Sequence, residues 1–226
     1  MDKEGRRDAA FFAGGMKMEF TQQFVQQLIN GISLGSIYAL IALGYTMIYG
    51  IIKLINFAHG DIYMVGAYIG FFAVTQAHLS IVPALLISMV VTGILGMVVE
   101  KLAYKPLRHA PRISVLITAI GVSFFLEYTS MYFVSPTPRT FPAVMDNVSF
   151  HLGMFVINGQ QMLILGITFV LMVLLTYIVQ RTKIGKAMRA ASFDTETAQL
   201  MGIDSDRVIS ITFGIGSALA AAGGVL

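Results

Sequence analysis

Apolar residues run along this chain in long, almost uninterrupted stretches, and polar residues gather between them. Six such stretches can be drawn, at residues 24–52, 57–74, 81–99, 113–134, 162–179 and 208–226. Each is about 18 residues or longer, which is the length at which an apolar helix can cross a bilayer. Because strand-type alternation is missing, the pattern predicts an all-α, polytopic transmembrane helical bundle.

Composition supports the same interpretation. The 226 residues are 56% hydrophobic and 12% charged, whereas soluble domains carry about 25% charged residues. Too little polar surface is available to cover a water-soluble globule, so the lipid bilayer is the expected surrounding. Cysteine is absent, which excludes disulfides and thiolate metal sites. We expect no metal site and no nucleic-acid partner.

The segments between the apolar stretches differ in charge. Four basic residues lie between the third and fourth stretches and five between the fifth and sixth, whereas Arg139 is the basic residue between the fourth and fifth. The positive-inside rule places the two basic loops in the cytoplasm. This loop arrangement predicts a multi-pass protein whose Arg139 loop lies outside.

The charges near the N-terminus conflict with six full membrane spans. Six full spans put the N-terminus outside, whereas the basic residues near it favour the inside: Lys3, Arg6, Arg7 and Lys17. The conflict disappears if the second stretch is broken or re-entrant, which protein or water-filled cavities can accommodate. We expect residues 1–17 to be a poorly ordered extension and residues 18–226 to form the membrane domain.

The break is expected in "LINFAHGDIYMVGAY", residues 54–68, where Asn56, His59, Gly60 and Asp61 interrupt the apolar pattern. On a helix Asn56 and His59 share a face, whereas Asp61 points elsewhere, which disfavours a catalytic His–Asp pair. In one interpretation Asn56 or Asp61 caps a half-helix and His59 bonds the freed backbone. In another, the helix N-terminus faces the translocation path and attracts a substrate carboxylate. Metal binding or catalysis is the third.

Glu127 lies inside the fourth stretch. Because burying a carboxylate in a membrane is expensive, such a residue is a candidate functional site. It could instead be neutral, or paired with Tyr128 or Tyr132. Glu100, at the inner end of the third stretch, is expected to be an interfacial anchor together with Lys101.

Two glycine pairs have GxxxG spacing, Gly31 with Gly35 and Gly66 with Gly70. Small residues at this spacing let helix backbones approach closely in lipid. Packing within the bundle is the ordinary explanation, and a seam with another chain is the alternative.

The cytoplasmic loop at residues 180–207 predicts a short amphipathic helix parallel to the membrane, which ends near Gly202. Glu196, Ala198 and Gly202 follow the spacing E-x-A-x-x-x-G. This spacing resembles the loop by which permeases of ABC importers dock into their ATPase subunits.

Four further segments extend the resemblance over about residues 24–226: "GYTMIYGIIKLINFAHGDIYMVGAYIGF", "AYKPLR", "GKAMRAASFDTETAQLMGI" and "DRVISITFGIGSALAAAGGVL". They resemble the LivH-type permease of bacterial branched-chain amino acid ABC transporters. The resemblance implies a multi-pass subunit of the inner membrane that carries leucine, isoleucine and valine. It also implies that loop 180–207 couples the chain to ATP hydrolysis, through Gly185, Arg189, Glu196, Ala198 and Gly202.

The implied partners are a second, LivM-type permease, two ABC ATPase subunits and a periplasmic Leu/Ile/Val-binding protein. The chain lacks the G-x-x-x-x-G-K-[ST] phosphate loop. We therefore expect no enzymatic activity and no cofactor in this chain, with ATP and Mg bound by the ATPase subunits. Family members continue beyond "AAAGGVL", so we expect a C-terminally truncated permease.

The sequence is also compatible with other functions. A permease of the same superfamily could carry a monosaccharide, or another small amino acid or amide. Two other classes are an intramembrane enzyme that uses His59 and Asp61, and a passive channel without an ATPase.

Overall fold

The computed structural model describes residues 3–53, 55–108, 110–135, 137, 139–142, 149–152 and 155–226, with the backbone alone at 3–22, 149–152 and 155–157. The helices are α1 (Lys3–Ile52), α2 (His59–Thr75), α3 (Ile81–Val99), α4 (Arg112–Phe133), α5 (Gly159–Arg181), α6 (Lys183–Phe193), α7 (Thr195–Leu200) and α8 (Ser205–Val225). A π-helical turn, Glu100–Tyr104, and a 3-10 turn, Lys105–Leu107, extend α3. A short antiparallel hairpin of β1 (Ser149–Leu152) and β2 (Phe155–Asn158) precedes α5.

The predicted multi-pass helical bundle is confirmed. Five helices of the described chain are long and apolar enough to cross a bilayer: Gln23–Ile52, Ile81–Leu107, Arg112–Phe133, Gly159–Arg181 and Ser205–Val225. The second apolar stretch forms α2, whose 17 residues make it shorter than these spans. The observed ends lie within three residues of the predicted ones at most spans, because the apolar stretches themselves define the spans. The exceptions are the start of α1, at Lys3, and the end of the third span, which its π-helical and 3-10 turns extend to Leu107.

Helix α8 lies at the centre and is the most buried of the five spans. Its surface is built from small residues, which let neighbouring helix backbones come close. Gly44 of α1 faces the backbone of Gly216, and a Cβ placed on Gly44 would lie 2.6 Å from the Gly216 carbonyl oxygen. A Cβ placed on Gly96 of α3 would likewise clash with the side chain of Ser217. The narrow surface of α8 therefore sets the spacing of the bundle.

Contacts along α8 give the direction of its neighbours. On α1, Ile41 packs near Gly223 and Gly44 near Gly216, so α1 runs antiparallel to α8. The C-terminal end of α1 therefore lies beside the start of α8, at the same end of the bundle as the two basic loops. If that end is cytoplasmic, the N-terminal end of α1 lies outside. The interruption follows α1 in the chain, so it does not place the N-terminus inside as expected.

The glycine pairs differ in their surroundings. Gly66 and Gly70 of α2 pack against Ala221 and Val225 of α8. A Cβ on Gly31 or Gly35 would meet no atom of the described chain within 4 Å. The packing expected within the bundle is therefore seen for the second pair and not for the first, because the outer half of α1 lies away from α8.

Two further expectations concern the ends and loops. Met1 and Asp2 lie outside the described residues and α1 already begins at Lys3, so the division of the chain at residue 17 stays a prediction. The short amphipathic helix expected in loop 180–207 is present as α6, which buries Met188 and Ala191, but it does not continue to Gly202 as one helix. Asp194 adopts an extended backbone (φ −154°, ψ 112°), which separates α6 from α7. The predicted helix end near Gly202 is confirmed, since α7 ends at Leu200 and Gly202 has φ +82°.

The contact between α1 and α8 leads to a stability prediction. Gly44→Leu should force the two helices apart and lower the free energy of unfolding by about 1–3 kcal/mol, the usual cost of overpacking. Gly31→Leu is the matched control, because its site is open. Denaturation of the purified chain in mixed detergent micelles measures both; equal losses in the two variants would contradict the packing described here.

Candidate functional site

The helical path is interrupted between α1 and α2, inside the stretch where a break is predicted. Helix α1 ends at Ile52, and Lys53 adopts a left-handed conformation (φ 55°) that is unusual for a residue other than glycine. Helix α2 begins at His59. Asn56 and Ala58, within the interruption, are buried. Ile55 and Phe57, which alternate with them, are about half exposed, so the chain turns back at the edge of the bundle.

The first turn of α2 lies near the middle of its neighbours. The hydroxyl of Ser123, halfway along α4, donates a hydrogen bond to the carboxylate of Asp61. The ring of His59 packs edge-on against Tyr45 of α1, with 5.6 Å between ring centroids. Since α4 is of membrane-spanning length, α2 begins at about half the depth of the bundle. Interrupted helices that begin near the membrane midplane are a common feature of transporter binding sites.

The expected capping of α2 is wrong. Its N-cap is Ala58, whose methyl side chain cannot accept a hydrogen bond. Asn56 stands two residues before this position, and its Oδ1 accepts a hydrogen bond of 2.6 Å from the hydroxyl of Tyr104. Asp61 already lies within the helix and turns towards α4. Both polar side chains therefore tie the start of α2 to other parts of the bundle.

Two buried side chains at the break keep unsatisfied polar atoms. Asn56 and His59 are each 3% exposed. Among the described residues, Asn56 Nδ2 and both ring nitrogens of His59 have no hydrogen-bond partner. The Ile41 carbonyl lies near the His59 ring, but the geometry is not that of a hydrogen bond, so His59 does not bond the freed backbone as expected.

A cavity of about 510 Å³ opens at this break. Its wall is mostly apolar and aromatic, and the two unsatisfied side chains form part of it. The lining residues come from α1 (Tyr38, Ile41, Ala42, Tyr45, Thr46), from the interruption (Ile55, Asn56, Phe57) and from the first turn of α2 (His59, Gly60). An apolar cavity with a few convergent polar groups is typical of small-molecule sites.

The arrangement does not support an enzyme that uses His59 and Asp61. Asp61 is hydrogen-bonded to Ser123, and the His59 nitrogens have no partner among the described residues. A catalytic base needs a group that orients it, which is the role the carboxylate would have to fill. The two residues are therefore adjacent in sequence but not joined chemically.

Glu127 is half-buried in the outer half of α4. Tyr128 and Tyr132 are both exposed, and no hydrogen bond joins Glu127 to either within the described part of the chain. The expected tyrosine pairing is therefore not seen. A functional role for Glu127 stays a prediction.

An ion network joins the end of α3 to the start of α8. Glu100 is 0% exposed and pairs with Arg108, which also pairs with Asp206. Ser210 donates a hydrogen bond to the second oxygen of Glu100, and Lys105 lies 2.8 Å from Asp206. The expectation that Glu100 is an interfacial anchor is wrong, because its carboxylate is buried and paired.

Helices α6 and α7 lie at the same end of the bundle as this network. They are called the docking helices below, after the importer loop that their sequence resembles. Asp194 caps α7 by accepting hydrogen bonds from the Thr197 hydroxyl and from the N–H groups of Thr197 and Glu196. These bonds, the Thr197 hydroxyl first, hold the pKa of Asp194 below its usual value. The charged cap therefore persists at neutral pH and is lost only as the pH falls through this lowered pKa.

The predicted coupling residues fall into two groups. Gly185 lies tightly against the backbone of Ile178 and Val179, Arg189 donates to the Val179 carbonyl at 2.7 Å, and Ala198 is buried. These three fasten the docking helices to the bundle. Glu196 and Gly202 are exposed.

Three large apolar side chains at the ends of the docking helices are exposed, which the sequence analysis did not predict. They are 85%, 86% and 80% exposed: Phe193, Leu200 and Met201. Exposed apolar groups in a segment rich in charged residues are typical of an interaction surface. The sequence could have indicated them, because an apolar residue stands at the end of each docking helix, at a position where a polar residue is expected.

Residues 27–226 match the family described as the permease component of branched-chain amino acid transport systems. The permease protein BraD of the high-affinity branched-chain amino acid transport system of Pseudomonas aeruginosa is 42% identical, over 90% of this chain and 70% of BraD. LivH of Escherichia coli K12 is 39% identical over the same shares. No solved structure matches the chain.

The ion network leads to a second stability prediction. Arg108→Leu would leave the buried Glu100 carboxylate unpaired, and we expect a loss of about 3–5 kcal/mol in the free energy of unfolding. Lys105→Leu breaks a half-exposed pair and should cost about 1 kcal/mol or less. Detergent denaturation of both variants measures the difference. Similar small losses of unfolding free energy in the two variants would show that Arg108 is not needed to stabilise the buried Glu100 carboxylate.

Proposed function

We propose that this chain, which belongs to the family of permease components of branched-chain amino acid transport systems, is a membrane-spanning subunit of an ATP-driven importer of leucine, isoleucine and valine. The observation that carries the proposal is the match over residues 27–226, together with relatives named as permease proteins of branched-chain amino acid transport systems. The importer would lie in the bacterial inner membrane, with the two basic loops in the cytoplasm.

Energy would come from partner chains. Two ABC ATPase subunits would bind ATP and Mg, since this chain lacks a phosphate-binding loop. A second, LivM-type permease would complete the membrane part, and a periplasmic binding protein would deliver the amino acid. In this scheme the chain makes and breaks no covalent bond, and it offers the substrate differential binding in two conformations.

The docking helices are the proposed contact with the ATPase. The apolar side chains of Phe193, Leu200 and Met201 offer buried area to a partner, and Glu196 offers a charge beside them. Gly185 and Arg189 hold α6 against the end of α5, so a push on the docking helices would be passed to the bundle. Ser205 of α8 also donates to the Thr195 carbonyl of α7, at 3.4 Å.

An aliphatic substrate agrees with the cavity at the α1–α2 break. Its wall offers apolar and aromatic surface and few polar groups. A monosaccharide would need a hydrogen-bond partner for each of its hydroxyls, because burying an unpaired hydroxyl is costly. The cavity therefore favours a branched-chain amino acid over a sugar.

The proposal is tested by uptake in the transporter assembled with its partner subunits. Labelled leucine should be imported in an ATP-dependent way, and unlabelled isoleucine and valine should compete whereas ribose should not. Leu200→Ala should reduce uptake by about tenfold or more, because a buried apolar contact at a protein interface is lost. Folding should be unchanged, since Leu200 is 86% exposed in this chain.

Phe133→Ala is the matched control, since Phe133 is also large, apolar and exposed but lies at the far end of α4. It should leave the coupling of uptake to ATP hydrolysis intact. If ribose competes and isoleucine does not, the proposed substrate is wrong. If Leu200→Ala and Phe133→Ala impair transport equally, the docking assignment is wrong.

A further inference from the structure

Two buried side chains at the cavity of the α1–α2 break have polar atoms without hydrogen-bond partners, which a ligand could supply. Asn56 and His59 line it, and Asn56 Nδ2 and the two His59 nitrogens are buried and have no partner among the described residues. Leaving such a group unpaired in the interior of a protein is unfavourable. A molecule in the cavity that bonds these atoms would recover the free energy lost, which an apolar molecule cannot do.

The same part of the cavity wall carries the N-terminus of α2. The first N–H groups of a helix have no acceptor within the helix, and Ala58 provides no side-chain cap. The N-terminal end of a helix also carries a partial positive charge, which attracts carboxylates. Gly60 leaves this turn open, since a Cβ there would meet no atom of the described chain within 4 Å. The polar part of the wall is therefore suited to an anion.

The rest of the wall suits a positive charge and an aliphatic group. Tyr38 and Tyr45 present aromatic rings, whose faces attract ammonium groups. Ile41, Ala42 and Phe57 supply apolar surface. The volume of about 510 Å³ falls within the range of ordinary ligand cavities.

We propose that this cavity binds the transported amino acid as a zwitterion, with its carboxylate at Asn56, His59 and the first turn of α2. The ammonium group faces the tyrosine rings, and the branched side chain lies against Ile41, Ala42 and Phe57. A neutral imidazole offers one donor and one acceptor, so His59 serves both charged groups of the ligand. This assignment of residues rests on the proposed function, since it names the site through which that substrate passes.

Ligand analogues test the carboxylate site. In the assembled transporter, Asn56→Leu should weaken leucine uptake by about tenfold or more, read as a rise in KM, because a hydrogen bond to a charged group is lost. Leucinamide lacks the carboxylate, so it should compete poorly in the wild type and equally poorly in the variant. Asn30→Leu is the control, since Asn30 bonds Gln161 at the outer end of α1, away from the cavity.

A second pair of variants avoids the buried polar residues. Gly60→Leu fills the cavity from an open position and should exclude leucine more strongly than alanine. Gly50→Leu is the matched control, because Gly50 is equally open and does not line the cavity. It should leave the ratio of leucine to alanine uptake unchanged.

The outcomes separate the two proposals. If the wild type does not import leucine, the proposed function fails. If the wild type imports leucine and both Asn56→Leu and Gly60→Leu behave like their controls, the function stands and the binding site proposed here is wrong. A loss of leucine transport in Gly60→Leu alone, with its preference shifted to alanine, supports the cavity but overturns the role of Asn56.

Discussion

The narrow surface of α8 is the constraint on which the other features depend. Its small residues allow the backbones of α1 and α3 to approach directly at Gly44 and Gly96. Helix α2 is held in the same way, with Gly66 against Ala221. Because these contacts fix α2 beside α8, its first turn lies at half depth, next to the inner part of α1. The cavity is the space between α1 and α2 at the point where the chain turns back to begin α2.

Breaking a helix inside a membrane is costly, and the bundle offsets only part of that cost. Tyr104 bonds Asn56, and Ser123 bonds Asp61. Tyr104 belongs to the π-helical turn that begins at Glu100, so the wall of the cavity is contiguous with the ion network at the start of α8. The docking helices contact α8 beside this network. Packed and hydrogen-bonded groups thus connect the docking helices with the cavity, and the proposed ATP-driven transport would need such a connection.

Much of the fold follows from the sequence, because long apolar stretches define spans without reference to partners. The break was predictable from the polar residues at 56–61, which no lipid-facing helix would carry. The partners of these residues were not predictable, since Tyr104 and Ser123 are distant in sequence and are brought near by packing. Either Asn56 or Asp61 was expected to cap α2. Asn56 lies two residues before the N-cap, and Asp61 lies within the helix and bonds Ser123. Asp194 was missed as a cap, although it stands directly before the Thr-Glu pair that begins α7.

The central claim is that the first turn of α2 opens into a substrate cavity at half depth. The chain contains no cysteine, so Gly60→Cys introduces a single thiol into that wall, and Gly50→Cys places one outside it. The decisive measurement is the rate at which a small, water-soluble thiol reagent labels each variant in the assembled transporter, with and without leucine. We predict that leucine slows labelling of Gly60→Cys several-fold and leaves Gly50→Cys unchanged. Equal labelling of Gly60→Cys with and without leucine would contradict the account.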